Sequence, residues 1–125
     1  MRLLLDAGAF VALERADRVL GALLVDAAQQ QVPVLTSAGA VAQVWRGGPR
    51  QARLARLLAG VESIGIAPDD ARPLGELLGR SGTVDVVDAH IALLARPGDV
   101  ILTSDPKDLA HLMAVREVRV RIRRV

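Results

Sequence analysis

Residues 82–109 read GTVDVVDAHIALLARPGDVILTSDPKDL, and the way this stretch divides decides the fold. Val86 to Ala95 is an apolar run of helical length, stopped by Pro97 and Gly98. VILT, residues 100–103, is too short for a helix and reads as a buried strand. Asp105 and Pro106 then open another helix through Met113, with proline at the first helical position. A buried strand held between two helices implies a parallel sheet with helices on its faces.

The rest of the chain repeats this grammar. RLLLD (2–6) is a short apolar strand ending in an acid, and AGAFVALERAD is a short helix. Residues 18–31 form a longer helix with Leu20, Leu23, Leu24 and Ala27 on one side. Pro33 opens PVLT, a second strand, and Thr36 or Ser37 caps the helix AGAVAQVWR, which Gly47, Gly48 and Pro49 close. Residues 50–59 make another helix, VESIGI a third strand, residues 69–78 a helix and residues 79–82 a turn. EVRVRIRRV alternates strictly, with Val118, Val120 and Ile122 opposite Arg119, Arg121 and Arg123, as an edge strand does. The expectation is an α/β fold with a central, mostly parallel sheet.

Bulk composition sets the outer limits. A chain of 125 residues with 51% apolar residues and 24% charged ones has enough core for one domain, 1–125, and is not disordered. Without cysteine it has neither disulfides nor thiolate metal sites. MRLLLDAGAF is broken by Asp6 too early for a signal core, and no apolar run reaches the roughly 18 residues of a membrane span, so a cytoplasmic location is the default. Net charge is only +2, and Lys107 is the sole lysine.

Aspartates carry the functional signal. In an open parallel sheet, ligands sit beyond the carboxyl ends of the strands. Asp6 ends the first strand, Asp105 ends the fourth, and Asp88 lies in the first turn of a helix facing the same rim. Each has a plainer reading as a helix cap: Asp6 and Asp105 by position, and Asp85 with Asp88 in a capping-box-like spacing. Two carboxylates about 4 Å apart repel by roughly 4 kcal/mol at an effective dielectric near 20. Three in contact would cost on the order of 10 kcal/mol, as much as a whole domain's stability of about 5–15 kcal/mol. Shared protons relieve such a cluster, and a hard divalent cation relieves it better, since all-oxygen sites suit Mg²⁺ or Mn²⁺. His90 and His111 lack a zinc-motif spacing; His90 reads as a helix-face residue near the site and His111 as a surface residue.

Four motifs in order, LLLDAGAFVAL, TSAGAVAQVWRGG, DVVDAHIALLA and ILTSDPKDL, make the chain resemble the PIN domain over nearly its whole length. The likeness is strongest to VapC-type toxin ribonucleases of bacterial toxin–antitoxin pairs. The resemblance implies a PIN-like three-layer α/β/α architecture and a Mg²⁺- or Mn²⁺-dependent endoribonuclease. Its first, third and fourth catalytic, metal-holding acids would fall on Asp6, Asp88 and Asp105. Asp85 is an additional acid that either contacts metal, directly or through water, or caps its helix. The departure is at the second acid, where the family's glutamate is replaced in AQVWR by Gln43. An amide keeps an oxygen but loses the charge, which leaves a PIN-like domain that binds RNA or antitoxin and cleaves weakly as the alternative. Thr103 or Ser104 would orient an acid, or merely finish the strand.

Substrate and partners follow from the same resemblance: RNA, an inhibitory antitoxin and a homodimer, with residues 20–25 as candidate dimer surface or ordinary core. Without Asp6, Asp85, Asp88 and Asp105, the frame of 16 basic and ten acidic residues carries +6, a field that attracts phosphates. Arg46, Arg50, Arg53 and Arg56 line two adjoining helices, and Arg119, Arg121, Arg123 and Arg124 crowd the tail. Trp45 is the only tryptophan and Phe10 the only phenylalanine, so there is no aromatic platform for bases, and Trp45 reads as a packing anchor. A receiver-like signalling domain, the remoter alternative, needs paired acids after strand one and a lysine after the last core strand. Only Asp6 follows strand one, and Lys107 sits in SDPKDL.

Overall fold

A computed structural model describes residues 1–125. Five strands, β1 (Leu3–Leu5), β2 (Val34–Ser37), β3 (Glu62–Ile64), β4 (Val100–Thr103) and β5 (Arg121–Arg124), form one sheet in the order β3-β2-β1-β4-β5. Every pairing is parallel. The helices are α1 (Ala7–Glu14), α2 (Arg18–Gln29), α3 (Ala38–Val44), α4 (Ala52–Leu58), α5 (Ala71–Ser81), α6 (Val86–Leu94) and α7 (Pro106–Arg116).

The sheet is buried on both sides, which is why β1 is three leucines in a row rather than an alternating pattern. Leu3 and Leu5 face Ala9, Phe10 and Leu13 of α1, with Leu20 of α2, Ala40 of α3 and Leu54 of α4 in the same core. Leu4 points the other way, with Leu35 and Ile101, into Leu74 and Leu77 of α5, Ile91 of α6 and Leu109 and Leu112 of α7. Helices α1–α4 thus cover one face and α5–α7 the other, giving the three-layer α/β/α arrangement.

Both edges are polar. Glu62 and Ser63 on β3 are exposed, as are Arg121, Arg123 and Arg124 on β5. Val118, Val120 and Ile122 all pack on the α5–α7 core, although only residues from Arg121 onward join the sheet. Helix α5 runs on to Ser81, past the expected end, and stops where Gly82 takes a left-handed conformation at φ 68°.

One correction concerns Trp45. Helix α3 ends at Val44, not Arg46, and Trp45 is its extended C-cap residue. The side chain is therefore 40% exposed rather than a packing anchor. Gln51, which is buried, enforces the early stop. Its amide oxygen accepts from the backbone N–H groups of Arg46 (2.7 Å) and Gly47 (2.9 Å), and its Nε2 donates to the Val44 carbonyl (2.8 Å). At the N-terminal end of the sheet, Arg2 and Asp99 form a salt bridge of 2.6 Å, and the Arg2 and Arg96 backbone N–H groups donate to the same carboxylate at 3.1 and 2.8 Å. This clamp joins the entry of β1 to the entry of β4.

Candidate functional site

The strand order reverses direction between β1 and β4: β2 and β3 were added on one side of β1, β4 and β5 on the other. At such a switch point the connections leave the carboxyl ends of two adjacent strands in opposite directions and open a crevice. Asp6 directly follows β1, and Asp105 lies two residues beyond β4.

Asp6 is buried and held on both oxygens. Oδ1 accepts from the Ala9 backbone N–H at 2.9 Å, capping α1, and Oδ2 accepts from the Thr103 hydroxyl. The same Thr103 oxygen accepts from the Asp105 backbone N–H at 2.9 Å, so one fully buried threonine ties both acids to the end of β4. Burial pushes the Asp6 carboxyl upward, and the charge of Asp105 adds to this. The bonds from Thr103, Ala9 and Gly8 pull the other way, and the net displacement is upward.

Asp85 caps α6, its Oδ1 accepting from the Asp88 backbone N–H at 3.0 Å, and is exposed. Asp88 is half-buried, and its carboxyl is raised from 3.8 to about 6. Burial is the largest cause, followed by the charges of Asp85, Asp6, Asp108 and Asp105. Asp105 is exposed and its side chain caps nothing, although it occupies the N-cap position of α7. Residues from three segments, 6, 85–88 and 105–108, thus share one field. Asp108 is the acid that the sequence reading missed. Its signal was the spacing of three from Asp105, the same spacing that separates Asp85 from Asp88.

Around these acids the helices pack closely. A side-chain carbon at Gly39 would lie 2.8 Å from Val87 Cγ2, so α3 sits hard against the first turn of α6. Gln43 is one turn further along that face of α3, and it is exposed. Gly8 has no room for a side-chain carbon because Ser104 fills the place, which brings α1 onto the loop after β4. His90 is not at a solvent-facing position: only 1% of it is exposed, and Nδ1 lies 2.7 Å from Ser37 Oγ, which itself caps α3 by accepting from Gly39 N–H at 3.1 Å. Its Nε2 has no partner, and burial lowers its pKa, with the charge of Asp70 opposing. His111 is exposed on α7 and its Nε2 meets the Ser81 carbonyl at 2.7 Å. Neither histidine bonds an acid.

The donor chemistry suits a hard divalent cation, since every candidate ligand is a carboxylate and neighbouring acids add to the upward displacement of Asp6 and Asp88. The spacing is looser than the chemistry. No three acidic or imidazole side chains stand close enough together to hold an ion between them.

No protein-family model matches the sequence, and a search of curated proteins finds no match. Among solved structures, the chain is similar to one in the crystal structure of VapBC2 from Rickettsia felis bound to a DNA fragment from their promoter. The TM-score is 0.67, the match covers 100% of this chain and 99% of that one, and 14% of residues are identical. The chain therefore shares its fold with that structure over its whole length. At this identity the likeness speaks to the fold.

Proposed function

We propose that the chain is a divalent-cation-dependent endoribonuclease, the toxin of a VapC-type toxin–antitoxin pair. The observation that supports this reading is the shared field of Asp6, Asp85, Asp105 and Asp108 at Asp88, whose carboxyl burial and these neighbours raise to about 6. A half-buried carboxyl so perturbed by neighbouring acids is a candidate functional group.

Asp6, Asp88 and Asp105 would hold Mg²⁺ or Mn²⁺, with Asp85 joining directly or through water. Such a cation would stabilise charge on a phosphodiester and lower the pKa of water for hydrolysis. The chain's own contribution begins with order. Thr103 and the Ala9 N–H fix Asp6, so its carboxylate needs no rotamer search. At pH 6 about half of the Asp88 carboxyls carry a proton, which must leave before the oxygen can serve as a ligand. Gln43, exposed on the helix packed against α6, would orient water through its amide. An inhibitory antitoxin and a second copy of the chain are the partners this reading implies, and Val19 and Val25 of α2, 65% and 59% exposed, would supply apolar contact surface.

A second reading, RNA or antitoxin binding with weak cleavage, is favoured by two observations: Gln43 lacks the charge of a glutamate, and no three acids enclose an ion. One experiment separates the two. The pure protein is incubated with structured RNAs in Mg²⁺ or Mn²⁺, beside Asp88→Asn and Gln43→Glu. Cleavage by the native chain, lost in Asp88→Asn, is the expected result. Cleavage gained only in Gln43→Glu would establish the second reading, and cleavage indifferent to Asp88→Asn would sink the first.

A further inference from the structure

Two cavities lie side by side where α1 turns into α2, and Asp17 and Val125 line both, so together they outline a trough. The first, about 450 Å³, is bounded by Gly8, Arg15, Asp17, Ser104 and Val125 among others. The second, about 250 Å³, shares Asp17 and Val125 and continues to Leu23, Arg123 and Arg124. The end marked by Gly8 and Ser104 adjoins the acids, since Gly8 is two residues after Asp6 and Ser104 immediately precedes Asp105.

Parallel pairing explains why arginines arrive here. Arg123 is opposite Leu102 and Arg124 opposite Thr103, so the C-terminal end of β5 reaches the same rim as β4 and its acids. An antiparallel edge strand would have carried them to the far end. Val125 secures this placement, its N–H donating to the Thr103 carbonyl at 2.9 Å.

Charge in the trough is uncommitted. Arg15, Arg123 and Arg124 are exposed, and none joins a salt bridge; the protein's one such pair is Arg2 with Asp99. Asp17, the opposing acid, already accepts from the Leu20 N–H at 2.9 Å as the cap of α2. Three guanidinium groups outnumber the Asp17 carboxylate, which leaves a positive balance along the trough that favours a polyanion, and guanidinium forks suit phosphate oxygens.

We propose that this trough is a track for the sugar–phosphate backbone of single-stranded RNA, with Arg15, Arg123 and Arg124 as its phosphate contacts. The proposal rests on the ribonuclease reading, since a polymer cut at the acids must run past them along the surface on at least one side. An acidic peptide is the competing occupant. It would bring further carboxylates towards a rim that already raises the proton affinity of its own.

The test is binding of a fluorescein-labelled single-stranded RNA, followed by anisotropy between 50 and 200 mM KCl. Both proteins carry Asp88→Asn so that the RNA survives, and one also carries Arg15→Gln, Arg123→Gln and Arg124→Gln. Three lost phosphate contacts should make the slope of log K against log salt less negative by about 2, at roughly 0.7 per contact. The protein with its arginines should then lose about 20-fold more affinity over that salt range than the triple variant. Arg96→Gln, at the opposite end of the sheet, should follow the parent, and unchanged urea midpoints would show that all variants fold. Equal slopes in a chain that otherwise binds and cleaves RNA would overturn the track while leaving the nuclease intact. A native chain that neither binds nor cleaves RNA would overturn the nuclease reading itself. Arginine-dependent binding of poly-glutamate with no effect on RNA would give the trough to a peptide and refute the proposal.

Discussion

Asp88→Asn should make the folded chain more stable at neutral pH, even though it removes a proposed ligand. The carboxyl moves from 3.8 to about 6 on folding, first through burial and then through Asp85, Asp6, Asp108 and Asp105. The folded state therefore holds the proton more tightly than the unfolded chain. Stability from this group is complete below about pH 3.8, falls as pH rises through about 6, and stays lost above. At roughly 1.4 kcal/mol per unit of pKa the full penalty is about 3 kcal/mol, and solvent screening of this half-exposed group reduces it to about 1–2 kcal/mol. Asparagine keeps the shape, carries no charge, and leaves the backbone N–H free to donate to Asp85. Urea midpoints of both proteins, measured from pH 4.5 to 7.5, should show the variant ahead by that amount at pH 7.5, with the gap shrinking to about a third at pH 4.5. His90, whose pKa burial lowers, works in the opposite direction, costing stability as pH falls below 6.5, but it is common to both proteins and drops out of the difference. Adding Mg²⁺ at about ten times its Kd should stabilise the native chain by roughly 1.4 kcal/mol and the variant much less. A variant less stable than the parent at pH 7.5, or a gap that does not close in acid, would refute the account of Asp88 as an endured charge.

Two further outcomes follow from the buried polar contacts. Thr103→Val keeps the volume but strips Asp6 of its side-chain donor and Asp105 N–H of its acceptor; unfolding should become easier by about 1–3 kcal/mol, and NMR titration should find the Asp6 carboxyl higher still. Asp99→Ala leaves Arg2 without its partner in the β1–β4 clamp and should cost about 3–5 kcal/mol in urea denaturation at pH 7. Burial opposes the Asp99 charge, but the bonds and charge of Arg2 and the Arg96 N–H outweigh it and hold the carboxyl below its usual value. The native advantage over Asp99→Ala should therefore be present above about pH 3.8 and fade as pH falls below it.

Local chemistry made much of the chain legible. Three successive leucines before Asp6, and VILT before Ser104 and Asp105, declare strands buried on both faces, because no alternating polar side is spared for water. Asp85, three residues ahead of Asp88, and Pro106 mark helix starts through their own backbone bonding. The common rim of Asp6 and Asp105 was inferable too, since strand ends in a parallel sheet lie along one edge. Other features depended on residues far apart in the chain. Gln51 ended α3 early by satisfying backbone groups at Val44, Arg46 and Gly47, and so left Trp45 in solvent. His90 went inward because Ser37, more than fifty residues earlier, offered its ring a hydroxyl.

The sequence by itself determined which segments are strands and helices and which strand ends carry acids, because those properties come from neighbours one to four residues apart. Only the tertiary structure decided that β4 lies beside β1, that one threonine serves both Asp6 and Asp105, and that arginines of the edge strand end at the same rim. Strand order and parallel register are set by how two opposite faces are covered at once. No local window of residues contains that balance.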